Sequence, residues 1–278
     1  MNTGLLPVER SDTCMTAHPY LDWPFFHAFA HRGGTGSAPE NTMAAFQDAI
    51  NLGYVYLETD VHLTADGVVV AFHDEDLSRT CGVCARIEDL TWSELKGIRV
   101  DGAHNIPLLE EILTTWPSAR INIDCKSDVV VEPLIGLLRR TDVLGRICVG
   151  SFSDKRLNQI RSSLGDDVCT SLGPRGVARL LAATTSHDRL ATGLGAHVAQ
   201  VPVKQGPLPL VTKRFIETAH RVGLLVHVWT IDDPQEIARL IDLGVDGIMS
   251  DDTRALRDVL TARNMWPTTS HPNDSTST

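Results

Sequence analysis

Apolar segments of strand length alternate with segments of helical apolar spacing along most of this chain. Eight strand-like segments can be read, at residues 27–32, 54–61, 120–126, 146–152, 168–172, 197–203, 224–231 and 246–251. A helical pattern follows each of them, for example at 154–164 and 234–243. Because a strand followed by a helix is the repeating unit of parallel sheets, eight such units predict the α/β class and a closed (β/α)8 TIM barrel.

One additional strand-like segment, at 68–73, follows the second strand across the turn Ala65-Asp66-Gly67. A tight Asp-Gly turn predicts an antiparallel hairpin, whereas a parallel crossover needs about a dozen residues or more. We therefore expect a small inserted subdomain at 62–106, after the second strand. The barrel is expected to span 25–264, with an N-terminal tail at 1–24 and a disordered Ser/Thr/Pro-rich C-terminal tail at 265–278.

Composition and charge narrow the class of partner. The 278 residues are 42% apolar and 22% charged, which is usual for a soluble globular protein. The formal net charge of −10 disfavours nucleic acid and anionic membrane surfaces, although a local site for a phosphorylated small molecule stays compatible with it. No run of 18 apolar residues and no signal-peptide pattern occurs, so we expect a cytoplasmic protein without membrane insertion. The oligomeric state is not indicated.

The cysteines indicate neither a disulfide framework nor a zinc centre. Cys81 and Cys84 form a lone CxxC pair, and a structural zinc site needs four ligands. We expect ordinary thiols here, with a redox pair as the alternative. Cys125 and Cys148 lie in apolar strand-like segments, which predicts that both are small core residues.

Polar side chains end several of the predicted strands, where the active site of a (β/α)8 barrel lies. These strand ends are His31-Arg32, Glu58-Thr59-Asp60, His73-Asp74 of the inserted hairpin, Asp124-Cys125-Lys126, Trp229-Thr230 and Asp251-Asp252. We therefore expect histidines, carboxylates and cationic side chains to meet at one rim. The alternative interpretation is a set of solvated rim charges.

The carboxylates of this rim predict a cation site. Glu58 and Asp60 are two residues apart on a strand and so face the same side, and Asp124 ends the adjacent strand. Inward carboxylates are costly unless they are paired or bind a metal, and oxygen ligands favour Mg²⁺ or Ca²⁺. The alternative is that Glu58 pairs with Lys126 or Arg32 and that no metal binds.

The other rim residues suit proton transfer and phosphate binding. His31 and His73 have side chains whose ordinary pKa, near 6.5, allows general acid and base catalysis around neutral pH. Arg32 can hold a phosphate through two hydrogen bonds and Lys126 as a point charge.

At these residues the sequence resembles the glycerophosphodiester phosphodiesterase family. The motifs that carry the resemblance are AHRGGTGSAPENTMAAF (30–46), YLETDVHLTADGVVVAFHDEDLSRT (56–80), DLTWSELKGI (89–98), IPLLEEIL (106–113), INIDCK (121–126), VGSFS (149–153), HVWTIDD (227–233) and GVDGIMSDD (244–252). The resemblance implies a barrel with a small insertion. It also implies a metal-dependent hydrolase that cuts glycerophosphodiesters to sn-glycerol 3-phosphate and an alcohol.

The resemblance also assigns roles by motif position. It implies that His31 and His73 are the catalytic pair, that Arg32 and Lys126 contact the phosphate, and that one divalent cation is bound, Mg²⁺ or Ca²⁺ with Mn²⁺ possible. The remaining implied roles are metal ligation by Glu58, Asp60 and Asp124, site support by Glu40, and a wall against the glycerol or alcohol at Trp229.

The chain departs from the family pattern in three places. Asp124 stands where Glu is common, Ser250-Asp251-Asp252-Thr253 replaces a TD-x-P motif, and Cys81-Gly-Val-Cys84 replaces a Gly/Thr-rich stretch.

Two other functions compete with this interpretation. A lysophospholipase D would act on lysolipids and would need an apolar groove or a membrane-binding surface. Because the insertion shows no long apolar helix, deacylated water-soluble substrates are favoured.

A non-catalytic barrel that binds phosphorylated ligands would be favoured by the loss of a histidine or a carboxylate, and none of them is lost. The nucleophile is left open between water and the 2-hydroxyl of the glycerol, which would give a cyclic phosphate.

Overall fold

The structure is a computed structural model that describes residues 18–185 and 191–267. The strands of the described chain are β1 (His27–Ala30), β2 (Tyr56–Leu63), β3 (Val69–Ala71), β4 (Arg99–Val100), β5 (His104–Asn105), β6 (Arg120–Cys125), β7 (Ile147–Gly150), β8 (Cys169–Thr170), β9 (Val198–Pro202), β10 (Lys204–Gln205), β11 (Leu208–Pro209), β12 (Leu225–Trp229) and β13 (Gly247–Ser250). The helices are α1 (Met43–Asn51), α2 (Ser78–Cys81), α3 (Trp92–Leu95), α4 (Leu109–Thr115), α5 (Val131–Arg140), α6 (Asp154–Leu164), α7 (Pro174–Ala183), α8 (Lys213–Arg221), α9 (Pro234–Leu243) and α10 (Thr253–Ala262).

Eight parallel strands form the predicted barrel. Their order around the sheet is β8-β7-β6-β2-β1-β13-β12-β9, so strands that follow one another in the chain are neighbours. The first and last strands pair in parallel, and a parallel bridge between Ser171 and Val198 joins the β8 and β9 sides. The prediction of a (β/α)8 barrel is confirmed, and the barrel brings the carboxyl ends of all eight strands to one face.

Side-chain caps at several βα loops determine where the outer helices begin. Thr42 accepts a hydrogen bond from the backbone N–H of Ala45 at the start of α1, and Asp233 caps α9 in the same manner. Such caps satisfy N–H groups that a helix cannot satisfy internally. In the part of the chain that the structure describes, no helix has the length and apolarity needed to cross a bilayer.

The insertion after β2 has the predicted hairpin and its own small core. Strand β3 pairs antiparallel with the end of β2, with Val61 opposite Ala71 and Leu63 opposite Val69. A separate apolar cluster then holds the insertion together, and its buried members are Val70, Phe72, Leu77, Ile87, Leu95, Val100 and Ile106. The insertion is therefore a folded platform beside the barrel mouth.

The predicted N-terminal tail at 1–24 is wrong for its described part. The side chain of Tyr20 is fully buried in a cluster with Phe29 and Tyr56 inside the barrel. The Tyr20 carbonyl accepts hydrogen bonds from the hydroxyl of Tyr56 and from Arg120. The sequence predicts a tail here because the segment is too short to show a periodic pattern of apolar residues. In the structure, Tyr20 instead fills part of the barrel interior. Residues 1–17 lie outside the described residues.

The predicted C-terminal boundary also moves slightly. Trp266 packs edge-to-face on Tyr54, with ring centroids 4.9 Å apart. Residues 268–278 of the predicted C-terminal tail lie outside the described residues. Among the cysteines, Cys125 and Cys148 are buried as predicted, whereas Cys84 is exposed and is a free thiol.

Candidate active site

A cavity of about 490 Å³ opens at the carboxyl ends of the barrel strands. It brings together nearly all the residues predicted from the strand ends. The lining includes His31, Arg32, Glu58, Asp60, His73, Asp124, Lys126 and Trp229. Glu40 is not part of the lining and lies behind it. The sequence-predicted rim is therefore a single concave site, which the alternative of scattered solvated charges does not describe.

His31 directly follows β1, where the chain makes a single 3-10 turn. Its Nδ1 lies 2.7 Å from Oδ1 of Asp251, and its Nε2 lies 3.8 Å from Oε2 of Glu58. Burial disfavours the imidazolium, but these two carboxylates outweigh burial and raise the pKa of His31 above its ordinary value.

His73 repeats the same arrangement on the insertion side of the cavity. Its Nδ1 lies 2.6 Å from Oδ1 of Asp74. A carboxylate only accepts hydrogen bonds, so in each histidine Nδ1 carries a hydrogen and Nε2 is the atom that exchanges protons. The two histidines of the cavity are thus both oriented for proton transfer through Nε2.

Glu58 and Asp60 both point inward from β2, but their pKa values shift in opposite directions. Asp60 is 2% exposed, and Lys126, Arg32 and Asn41 surround its carboxylate. Burial favours the neutral acid, but Lys126 and Arg32 lower the pKa of Asp60 below its ordinary value. Glu58 has the backbone N–H of Arg32 as a hydrogen-bond donor, and burial together with the negative charge of Asp60 raises the pKa of Glu58 to about 8.

The two predicted phosphate-binding cations contact carboxylates of the site. Lys126 Nζ lies 2.8 Å from Asp60 Oδ1 and 2.7 Å from Asp124 Oδ2. Arg32 Nε lies 3.3 Å from Asp60 Oδ2, and its Nη1 lies 3.0 Å from Glu40 Oε1. Their positive charge at the cavity wall could attract an anionic substrate.

The predicted metal ligands fit a hard cation by their chemistry. Glu58, Asp60 and Asp124 supply carboxyl oxygens to the same cavity, and such oxygens are the ligands that Mg²⁺ and Ca²⁺ prefer. Within residues 18–185 and 191–267, no group of three His, Cys, Asp or Glu side chains is already gathered as a metal cluster. The ammonium group of Lys126 contacts both Asp60 and Asp124.

Two residues of the loop before α1 adopt a left-handed backbone conformation. The φ angles are 53° at Arg32 and 54° at Asn41, values that few residues other than glycine adopt. The Arg32 carbonyl accepts a hydrogen bond of 2.8 Å from the Asn41 N–H, and Asn41 Nδ2 donates to Asp60. Gly34 also has a positive φ, and a Cβ there would lie 2.6 Å from Thr253. This loop is therefore shaped around the carboxylates of β2.

Four polar residues that organise the site received no role from the sequence, although Asp74 and Asp251 were placed at the predicted rim. Asp251 and Asp74 orient the two histidines, Asn41 holds Asp60, and Arg79 joins Asp74 to Glu40. The signal for Asp251 and Asp74 was present, since both stand at strand ends. Arg79 lies on a short helix of the insertion, within the motif at 56–80, but its position along the chain does not indicate which carboxylates it contacts.

One side of the cavity is apolar, and this was not predicted. It is built from the β8–α7 region and from the segment that contains β10 and β11. Its apolar lining comprises Leu172, Pro174, Val177, Ala178, Leu181, Leu208 and Leu210, with Phe152 and Trp229 stacked edge-to-face at 5.7 Å. Among the described residues, three large apolar side chains are well exposed, and two of them, Phe152 and Leu208, border this cavity.

Oriented proton-transfer groups beside cationic side chains suit acid–base cleavage of an anionic ester. The fold and the site together therefore define a (β/α)8 barrel hydrolase. The profile of the Glycerophosphoryl diester phosphodiesterase family matches residues 31–255, and the chain belongs to this family of phosphoric diester hydrolases.

Relatives of known sequence or structure agree with this assignment. The chain is 36% identical to "Probable glycerophosphodiester phosphodiesterase 2" of Mycobacterium tuberculosis, over 86% of this chain and 92% of that protein. It is 29% identical to a human lysophospholipase D, over 83% of this chain and 85% of that protein. A crystal structure from Silicibacter pomeroyi superposes with a TM-score of 0.73 at 24% identity, covering 91% of this chain and 97% of that chain, and this likeness shows the fold.

Proposed function

We propose that this protein hydrolyses glycerophosphodiesters to sn-glycerol 3-phosphate and an alcohol, with two-histidine acid–base catalysis and a divalent cation. The observation that carries the proposal is the matched pair of histidines in one cavity. His31 and His73 each have Nδ1 bound to a carboxylate, and this leaves Nε2 for the reaction. The membership of the phosphodiesterase family supplies the type of bond that is cut.

The protons move between the substrate and the two histidines. The raised pKa of His31 favours it as the acid that protonates the departing alcohol oxygen as the P–O bond breaks. His73 acts as the base that takes the proton from the nucleophile as it attacks phosphorus. When water is the nucleophile, sn-glycerol 3-phosphate forms directly. When the 2-hydroxyl of the glycerol attacks, a cyclic phosphate forms, and water then opens it with the roles of the two histidines reversed. Arg32 and Lys126 hold the non-bridging phosphate oxygens and stabilise the charge of the transition state.

The proposed cation would be held by Glu58, Asp60 and Asp124, the three carboxyl groups of the cavity wall. Mg²⁺ or Ca²⁺ is the class that oxygen ligands prefer, with Mn²⁺ as a further candidate. Such an ion supplies Lewis-acid stabilisation of phosphate oxygens. Trp229 borders the cavity and forms a wall against the glycerol or the alcohol.

A substrate and metal panel tests the proposed function. Glycerophosphocholine, glycerophosphoethanolamine and glycerophosphoinositol are each assayed for sn-glycerol 3-phosphate with EDTA, Mg²⁺, Ca²⁺ or Mn²⁺. We expect turnover with at least one cation and a fall of about 100-fold or more in EDTA, because transition-state charge stabilisation is worth several kcal/mol. Activity that survives EDTA fully would contradict the cation, and inactivity in every condition would contradict the proposed function.

The apolar side of the cavity favours a second candidate function, lysophospholipase D activity. The sequence disfavoured this activity because the insertion shows no long apolar helix, but the apolar lining comes from α7 and the β10–β11 segment instead. An acyl chain could lie between Val177 and Leu208 while the phosphate lies at the histidines. The human relative named as a lysophospholipase D supports the same proposal.

A matched pair of variants separates the two candidate substrates. Leu208→Asp should raise KM for lysophosphatidylcholine by about 10-fold, since it removes apolar contact worth about 1.5 kcal/mol, and change KM for glycerophosphocholine much less. Val129→Asp is the control, because Val129 is 56% exposed, close to the 63% of Leu208, but does not border the cavity. If the wild type does not turn over lysophosphatidylcholine, lysophospholipase D activity is excluded, and the proposed hydrolysis of glycerophosphodiesters is not affected.

We propose a cytoplasmic protein with a small-molecule substrate and no nucleic-acid partner. The free thiols Cys81 and Cys84 are compatible with a reducing compartment.

A further inference from the structure

Arg79 lies on the insertion and forms ion pairs with two carboxylates at the edge of the site, Asp74 and Glu40. Its Nε donates to Asp74 Oδ2 at 2.6 Å. Its two terminal nitrogens donate to the two oxygens of Glu40, at 3.0 and 2.6 Å. Arg79 is 49% exposed and does not line the cavity, so its contacts point to the protein's own carboxylates.

Both partners of Arg79 act on residues of the cavity. The second oxygen of Asp74 accepts the Nδ1–H of His73, at 2.6 Å. Glu40, on the barrel side, also accepts a hydrogen bond from Arg32. A chain of hydrogen bonds therefore runs from His73 in the insertion to Arg32 in the barrel, and Arg79 is the link between the two parts.

We propose that Arg79 is a positioning residue for His73. It holds the Asp74 carboxylate in the orientation that fixes the Nδ1–H of His73. Its hydrogen bonds to Glu40 hold His73 and Asp74 in position beside the barrel mouth. The inference rests on the proposed function, in which His73 transfers a proton.

The physical reason lies in the geometry of the guanidinium group. Its planar fork can bind the carboxylate of Glu40 through two nitrogens and still present Nε to Asp74, whereas an ammonium group is a point charge without a fixed direction. Asp74 is partly exposed, and among the described residues it pairs with His73 and Arg79. Without Arg79 its carboxylate could rotate, and a shift of about 1 Å in a catalytic group can cost about 10²-fold in rate.

A double-mutant cycle tests this role against glycerophosphocholine. Arg79→Gln should lower kcat by about 10- to 100-fold with KM changed little, and Arg79→Lys should show most of the same loss. In a His73→Ala background Arg79→Gln should cause no further loss, because the residue it positions is absent. Arg86→Gln is the matched control, since Arg86 lies on the same insertion with 48% exposure and pairs with Glu75 and Glu88 outside the cavity.

A second measurement does not depend on activity. Nitrogen NMR of the His73 imidazole, assigned by its absence in the His73→Ala variant, should show the Nδ1–H form in the wild type and a mixture of tautomers in Arg79→Gln. Undiminished kcat in Arg79→Gln, an equal loss in the His73→Ala background, or an unchanged tautomer would overturn the positioning role. If the wild type lacks activity but the His73 tautomer still differs between the wild type and Arg79→Gln, the proposed function is contradicted and the positioning of His73 by Arg79 is supported.

Discussion

We expect alanine at either His31 or His73 to lower kcat by about 10²–10⁴-fold, the usual contribution of a general acid or base. In each histidine, Nδ1 contacts a carboxylate, and this leaves Nε2 to exchange protons. Each variant removes one of these two side chains. The measurement is steady-state kinetics on glycerophosphocholine with the best cation of the panel. Because the two groups act in one reaction, the double variant should lose less than the product of the two single losses.

The control for these variants is His104→Ala. His104 lies on β5 of the insertion and is not part of the cavity lining, so its removal should leave kcat within about two-fold. Circular dichroism establishes that all three variants are folded. Full activity in both His31→Ala and His73→Ala would refute the assignment of two catalytic histidines.

Alanine at Asp60 should produce the largest loss of stability among the site residues. Its carboxylate is 2% exposed and is the shared partner of Lys126, Arg32 and Asn41. Removing one member of a buried ion pair costs about 3 kcal/mol or more, because the remaining charges stay buried with fewer partners. For a chain of this size, 3 kcal/mol corresponds to a fall of roughly 6–12 °C in Tm.

Thermal denaturation in EDTA measures this effect without a contribution from a bound cation. Asp48→Ala is the matched control, because Asp48 forms a surface ion pair with Arg254 at 3.1 Å, and such pairs contribute about 0–1 kcal/mol. An unchanged Tm in Asp60→Ala would mean that Glu58 takes over the pairing with Lys126. The Asp60→Ala variant should also lose activity, since it removes a proposed cation ligand.

Most of the fold followed from local patterns. The eight strands were predicted from short apolar segments that alternate with helical apolar spacing, and the hairpin at 68–73 from its Asp-Gly turn, because these signals lie within each segment. The segment at 18–22 was misread, because a single buried side chain such as Tyr20 produces no period. Its burial depends on the interior of a barrel whose other walls come from residues far along the chain.

By itself the sequence determined which residues stand at the strand ends, and so which side chains can meet at the barrel mouth. Only the tertiary structure decided their partners. Asp251 contacts His31 across 220 residues of chain, and Arg79 binds Glu40 across 39. The apolar wall also comes from packing, since Val177 and its neighbours show the same pattern as any helix face that covers a core. The physical reason is that the period of a segment fixes the side on which a residue lies, whereas a contact depends on how distant segments are packed together.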